Sequence, residues 1–88
     1  MSAAEELFAK MQASKADWGE SDLHELYIGY GFEYRSGKHN VYIHPKYRDL
    51  RATVSRQKRL PTGYIQHAVK MIRVLNQYLK NEATGGQK

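Results

Sequence analysis

"FEYRSGKHNVYIHP", residues 32–45, decides the fold. Its first four residues alternate, with Phe32 and Tyr34 on one face and Glu33 and Arg35 on the other, the period-two signature of a half-buried strand. Ser36-Gly37 then predicts a tight turn, because glycine tolerates the positive φ that hairpin turns need. "HNVYIH", residues 39–44, reads as the returning strand, and Pro45 ends it or confines it to a sheet edge. A β-hairpin is therefore expected near the middle of the chain.

Upstream, residues 3–13 predict a short helix with Leu7, Phe8 and Met11 on one face. "ASKADWGE", residues 13–20, interrupts it. Asp22 followed by Glu25 has the form of a capping box with Asp as the cap. A second helix is expected from there to about Tyr30, with Leu23, Leu26, Tyr27 and Tyr30 at helical spacing and Gly31 as its stop. Downstream, "KYRDL" (46–50) reads as a loop and "RATVSR" (51–56) as a third strand rich in β-formers. "QKRLPTG" (57–63) is a second basic loop. The longest helix is expected from about Thr62 to Asn81. Its buried stripe is Ile65, Ala68, Val69, Ile72, Leu75 and Leu79, and Met71, Val74 and Tyr78 form a second, partly exposed strip. Residues 82–88 are expected to be a disordered tail, leaving one domain over residues 1–81.

The order is α-α-β-β-β-α. A three-stranded antiparallel meander covered on one face by helices is the simple solution. The fold class expected is α+β, the αβββα plan of double-stranded-RNA-binding-like folds with an extra short N-terminal helix.

The 88 residues carry a formal net charge of +5 and no cysteine. No disulfide framework or thiolate metal site is available, and four histidines without cysteine form no zinc pattern. No metal and no cofactor are expected. No apolar run approaches the ~20 residues of a membrane span, and the acidic N-terminus lacks the positive charge of an export signal. The expected location is the cytoplasm, with no membrane partner. Charge is distributed unevenly. Residues 1–34 hold two lysines against seven acids, whereas residues 35–88 hold twelve Lys or Arg against Asp49 and Glu82. Such a one-sided field favours a polyanion, most simply nucleic acid. Arg35, Lys38, Lys46, Arg48 and Arg51 lie around the hairpin and the loop after it. Arg56, Lys58 and Arg59 precede the last helix, whose N-terminus adds partial positive charge. Together they are the candidate RNA-binding residues, reading backbone charge and shape.

The run "DLHELYIGYGFEYRSGKHNVYIHP" (22–45), followed by "TVSR" (53–56) and "LPTGYIQHAVKMIRVL" (60–75), resembles the HicA toxins of bacterial toxin–antitoxin pairs. Those proteins show a helix ending in Gly-Phe, then Arg-x-x-Gly-Ser-His, an aromatic and His-Pro, a Thr-Val strand and a final helix. "ELFAKMQASKADW" (6–18) resembles the added segment of one subgroup. The resemblance covers roughly residues 5–79. It implies a double-stranded-RNA-binding-like fold, metal-independent cleavage of mRNA, and neutralisation by a HicB-type antitoxin. The family's catalytic histidine falls on His39. Gly37 also matches, while Lys38 stands where the family commonly has Ser.

From the residues alone, His39 is a polar side chain beside a hairpin turn. With the resemblance it becomes the candidate acid/base group, since an imidazole can serve either proton step of RNA cleavage near neutral pH. Lys38 beside it would hold a phosphate as a point charge. Tyr42, Lys58 and His44 are candidates for a second proton-transfer group. His44, at a strand end before Pro45, is expected to be structural, capping loop backbone, and His24 and His67 are expected to be ordinary helix residues. The alternatives are a non-catalytic RNA-binding module of the same fold, and a protein-interaction subunit using the Met71/Val74/Tyr78 strip.

Overall fold

The alternation at residues 32–43 is realised as an antiparallel pair. β1 (Glu33–Arg35) lies against β2 (Asn40–Ile43), with Tyr34 opposite Tyr42 and Arg35 opposite Val41. β3 (Arg51–Val54) pairs on the other side of β2, which makes β2 central and the sheet order β1-β2-β3. The register sorts side chains cleanly. Tyr34, Tyr42 and Ala52 share one row of the inner face, and Asn40 and Val54 the next. The opposite face carries Glu33, Ile43 and Arg51 in one row and Arg35, Val41 and Thr53 in the other.

This computed structural model describes residues 2–85. Two N-terminal helices, α1 (Ala3–Ala13) and α2 (Glu20–Gly29), and a long C-terminal helix, α3 (Thr62–Gly85), complete an α+β fold in the order ααβββα. Tyr42 and Tyr27 are fully buried, and their rings stack at 4.8 Å. Leu23, Leu26, Ile65, Ile72 and Leu75 are also fully buried. Each such aliphatic side chain contributes roughly 1.5–3 kcal/mol by leaving water. Among the described residues no helix is long and apolar enough to cross a membrane.

Several boundaries differ from the sequence expectation, each for a local reason. Ser36-Gly37 does not form a two-residue turn, and Gly37 does not take a positive φ. The connection is a four-residue loop, Ser36–His39, because Ser36 leaves the ladder and its hydroxyl accepts from the Arg56 guanidinium. Helix α2 starts at Glu20, not Asp22. Asp22 sits one turn in, where its carboxylate accepts the Gly19 N–H at 2.9 Å. The early start follows from docking: a Cβ on Gly19 would stand 2.0 Å from the Lys58 carbonyl oxygen. Two backbone bonds hold the same contact, Glu20 N–H to Gln57 C=O at 3.0 Å and Leu60 N–H to Trp18 C=O at 2.7 Å. β3 ends at Val54, two residues short of Arg56.

On α3, Ile65, Ala68, Val69, Ile72 and Leu75 are buried, but Leu79 is 45% exposed. Met71, expected on a half-exposed strip, is buried, and Val74 and Tyr78 are half-buried against the core. Helix α1 packs on α3 as well as on α2, so α3 is covered from more than the sheet side. The helix continues through Gly85, past the expected end at Asn81. The rest of the expected disordered tail, residues 86–88, lies outside the described residues.

The Gly31 stop is present. Gly31 has φ +89°, its N–H donates to Ile28 C=O at 3.0 Å, and Phe32 N–H donates to Tyr27 C=O at 3.0 Å. This is a Schellman closure, and it aims Phe32 into the core. An L side chain in that left-handed region costs about 1–2 kcal/mol. Gly31→Ala should therefore lower the melting temperature by roughly 4–8 °C or more for a chain of this size. A thermal melt followed by far-UV circular dichroism checks this, and an unchanged midpoint would refute the strained turn.

Candidate functional site

His39 is the last residue of the hairpin loop, directly before Asn40 opens β2. Its side chain is exposed. It borders an open groove with Arg35, Lys38, Val41, Ile43, Arg51 and Thr53, so the groove runs from the hairpin along the sheet face turned away from the helices. Three cations and one imidazole line it without a carboxylate. Glu33 is the one acid among the strand residues of this face, at the row farthest from the loop.

The loop is held from beneath by a buried amide. Asn40 is 2% exposed. Its Oδ1 accepts from the Tyr34 hydroxyl at 2.9 Å and from Arg56 Nε at 3.1 Å, and its Nδ2 donates to the Glu20 carboxylate. Arg56 continues to the Ser36 hydroxyl at 2.9 Å. One side chain thus joins β1, β2, the segment after β3 and the first residue of α2. Buried polar groups are tolerated when their partners are present, and three of the four hydrogen-bonding positions of the amide are met here.

Next to this network, His24 Nδ1 lies 2.7 Å from the Tyr42 hydroxyl, and its ring meets Tyr34 edge-on at 4.9 Å. The Tyr42 phenol is pushed up to about 12, first by burial and then by the neighbouring Tyr34 and Glu20. A fully buried phenol facing the core cannot serve a groove on the other face, so Tyr42 is removed as a second proton-transfer group. His44 is removed as well. Its Nδ1 accepts from Lys46 N–H at 3.1 Å and Tyr47 N–H at 3.2 Å, which makes it the cap of the loop after β2, as expected from its place before Pro45. Lys58 is exposed on the loop that docks against Gly19.

The basic residues do not form one patch. Arg35, Lys38 and Arg51 share the groove with His39. Arg56 is at the hairpin but is engaged with Asn40 and Ser36. Arg59 lies 3.6 Å from Asp17, both largely exposed, a pair worth about 0–1 kcal/mol. Lys46 pairs with Glu82 near the end of α3, and Arg48 lies in the same loop as Lys46. Asn40, His24 and Glu20 were not singled out by sequence reading; an Asn in an otherwise apolar strand position was the available signal. Among the described residues no group of three His, Asp or Glu is placed to hold a metal ion.

Two outcomes follow from these contacts. Asn40→Ala leaves Glu20, Tyr34 and Arg56 without their shared partner and should cost about 1–3 kcal/mol in urea denaturation. It should also speed amide exchange in residues 36–39. His44 titrates below its ordinary 6.5, first because it is buried and then because of the Lys46 charge. The unfolded chain therefore binds the proton more readily. Stability is full above pH 6.5 and falls as pH drops through 6.5 toward the lowered folded value. Chemical denaturation between pH 7.5 and 5 should show that decline, and His44→Asn should flatten it.

Compared with family models, curated proteins and solved structures, the chain has no match.

Proposed function

We propose that the chain is a HicA-like toxin, a metal-independent endoribonuclease that cleaves mRNA and is neutralised by a HicB-type antitoxin. The observation that carries this reading is the position of His39: exposed, on a hairpin loop tied at Ser36 to Arg56, at the rim of a groove whose charged side chains are all cationic. The ααβββα order supports the finer assignment to a double-stranded-RNA-binding-like fold preceded by one short helix.

In this mechanism Arg35, Lys38 and Arg51 hold the RNA backbone along the outer sheet face by charge. A base removes the proton of the 2′-hydroxyl, whose oxygen attacks the adjacent phosphorus. The P–O5′ bond breaks, an acid protonates the departing 5′-oxygen, and a 2′,3′-cyclic phosphate remains. His39 performs one of the two proton transfers, and the cations stabilise the extra negative charge of the phosphorane. Lys38, in the place of the common Ser, is a phosphate-holding charge.

His39 makes no hydrogen bond among the described residues, so removing its imidazole leaves the fold within about 0.5 kcal/mol. His39→Ala should lower RNA cleavage by roughly 100-fold or more, the usual scale of lost acid–base assistance, with an unchanged melting temperature. Cleavage at the wild-type rate would overturn the assignment. A second reading, RNA binding without cleavage, has one observation in its favour: the groove lining holds one imidazole and no carboxylate, so no second histidine or acid stands beside His39 for the other proton transfer. It predicts salt-sensitive RNA binding by wild type and His39→Ala alike, with no cleaved product from either.

A further inference from the structure

The free edge of β3 borders the His39 groove through Arg51 and Thr53, but its unpaired main-chain groups are a separate feature. His44 N–H donates to Leu50 C=O at 3.0 Å, which fixes the phase of the β2–β3 ladder. Bonded and non-bonded pairs alternate along an antiparallel ladder. Ala52 and Val54 therefore bond toward Tyr42 and Asn40, while the N–H and C=O groups of Arg51 and Thr53 point outward, away from β2. Among the described residues one contact approaches them, His67 Nε2 at 3.4 Å from the Arg51 carbonyl oxygen, longer than a normal hydrogen bond. Beside this edge runs an open groove of about 390 Å³, between Arg51–Thr53 and the residues Pro61, Tyr64 and His67 near the start of α3. No acid lines it, and its surface is mostly apolar.

A bare strand edge invites another strand, and proteins block it with charge, proline or a bulge. Here the block is Arg51, whose charge repels a second copy of a chain carrying net +5 but attracts an acidic strand. Side chains of an added strand alternate between faces. Those beside Arg51 and Thr53 share the outer face, and those between them turn toward the groove along α3. We propose that the β3 edge docks an extended segment of a partner protein with alternating acidic and apolar residues, paired as a fourth strand. Its main-chain groups bond to Arg51 and Thr53, its acids face Arg51, and its apolar side chains enter the groove at Pro61 and Tyr64. This is strand addition, in which backbone bonds give affinity and alternate side chains give specificity. Arg51 and Thr53 also line the His39 groove, so such a segment would compete with RNA; that consequence alone rests on the proposed function.

The test uses the full chain without RNA. Amide exchange is followed by NMR as a short blocked peptide alternating Glu and Val is added, with its Lys/Val counterpart in parallel. Saturating Glu/Val peptide should slow exchange at Arg51 and Thr53 about tenfold or more and leave Ala52 and Val54 unchanged, and the Lys/Val peptide should bind at least about tenfold more weakly. Thr53→Pro deletes one outward N–H at a position where an edge strand tolerates proline, and binding should be lost from a chain that still melts cooperatively. Should that variant not fold, Arg51→Glu replaces it and should reverse the preference to the Lys/Val peptide. Equal binding of the two peptides, or absence of protection at Arg51 and Thr53 with saturating Glu/Val peptide, would each overturn the proposal.

Discussion

Burying one amide constrains the whole hairpin end of this molecule. Asn40 occupies an inner-face position of the central strand, where solvent is excluded. An unpaired amide there would cost about 1–3 kcal/mol. Its partners come from four separate places: Tyr34, Glu20, Arg56 and, through Arg56, Ser36. Satisfying Asn40 thus fixes the start of α2, the β1–β2 pairing and the course of the chain after β3 together. It also fixes register. A one-residue slip of β2 would carry Asn40 and Tyr42 to the outer face and Val41 inward, breaking every bond of the network and unstacking Tyr42 from Tyr27.

The two ends of the sheet are consequently different in kind. At the hairpin end, the docked loops 14–19 and 55–60 brace the base, and the loop carrying Lys38 and His39 projects exposed. The far end is closed. His44 caps its own loop and packs between Phe32 and Tyr47, Tyr78 donates to Asp49 at 2.9 Å, and Lys46 pairs with Glu82. Charge that looks continuous along residues 35–59 of the sequence is divided by this geometry. Lys46 and Arg48 belong to the closed end, and Arg56 is committed to the brace.

The legible features were those set by neighbours in sequence. Alternation placed Phe32 in the core and Tyr34 on the helix-facing side of the sheet, where it is still 40% exposed, helical spacing found the stripe from Ile65 to Leu75, and Gly31 marked its own left-handed turn. The features that escaped were set across the fold. Asp22 is a plausible cap in its own sequence, but the close approach of Gly19 to Lys58 moves the cap three residues earlier, to Gly19. Leu79 keeps the period of the buried stripe yet is exposed, while Met71, off that stripe, is buried where α1 joins the packing around α3. Ser36-Gly37 has the composition of a two-residue turn, but the Arg56–Ser36 bond opens it to four. At the candidate site, His39 and its groove cations were legible by composition and resemblance. Asn40, which ties the base of the hairpin to α2 and to the chain after β3, was not, because a polar residue at a strand start usually faces water.

The same geometry narrows what the groove can recognise. Arg56 donates to two protein acceptors at once, so using it on a phosphate would release Ser36 and loosen the loop that carries His39. The cations left in the groove are Arg35, Lys38 and Arg51, all exposed and set on a nearly apolar floor of Val41 and Ile43. The groove's strand residues lack an aromatic side chain on which a base could stack, since Phe32, Tyr34 and Tyr42 all face the other way. Under the proposed function, recognition would therefore be by phosphate position, with strong dependence on salt and weak dependence on base. On that proposal, selectivity would come from which phosphates can reach past the hairpin to His39, and so from the shape of the strand presented to it.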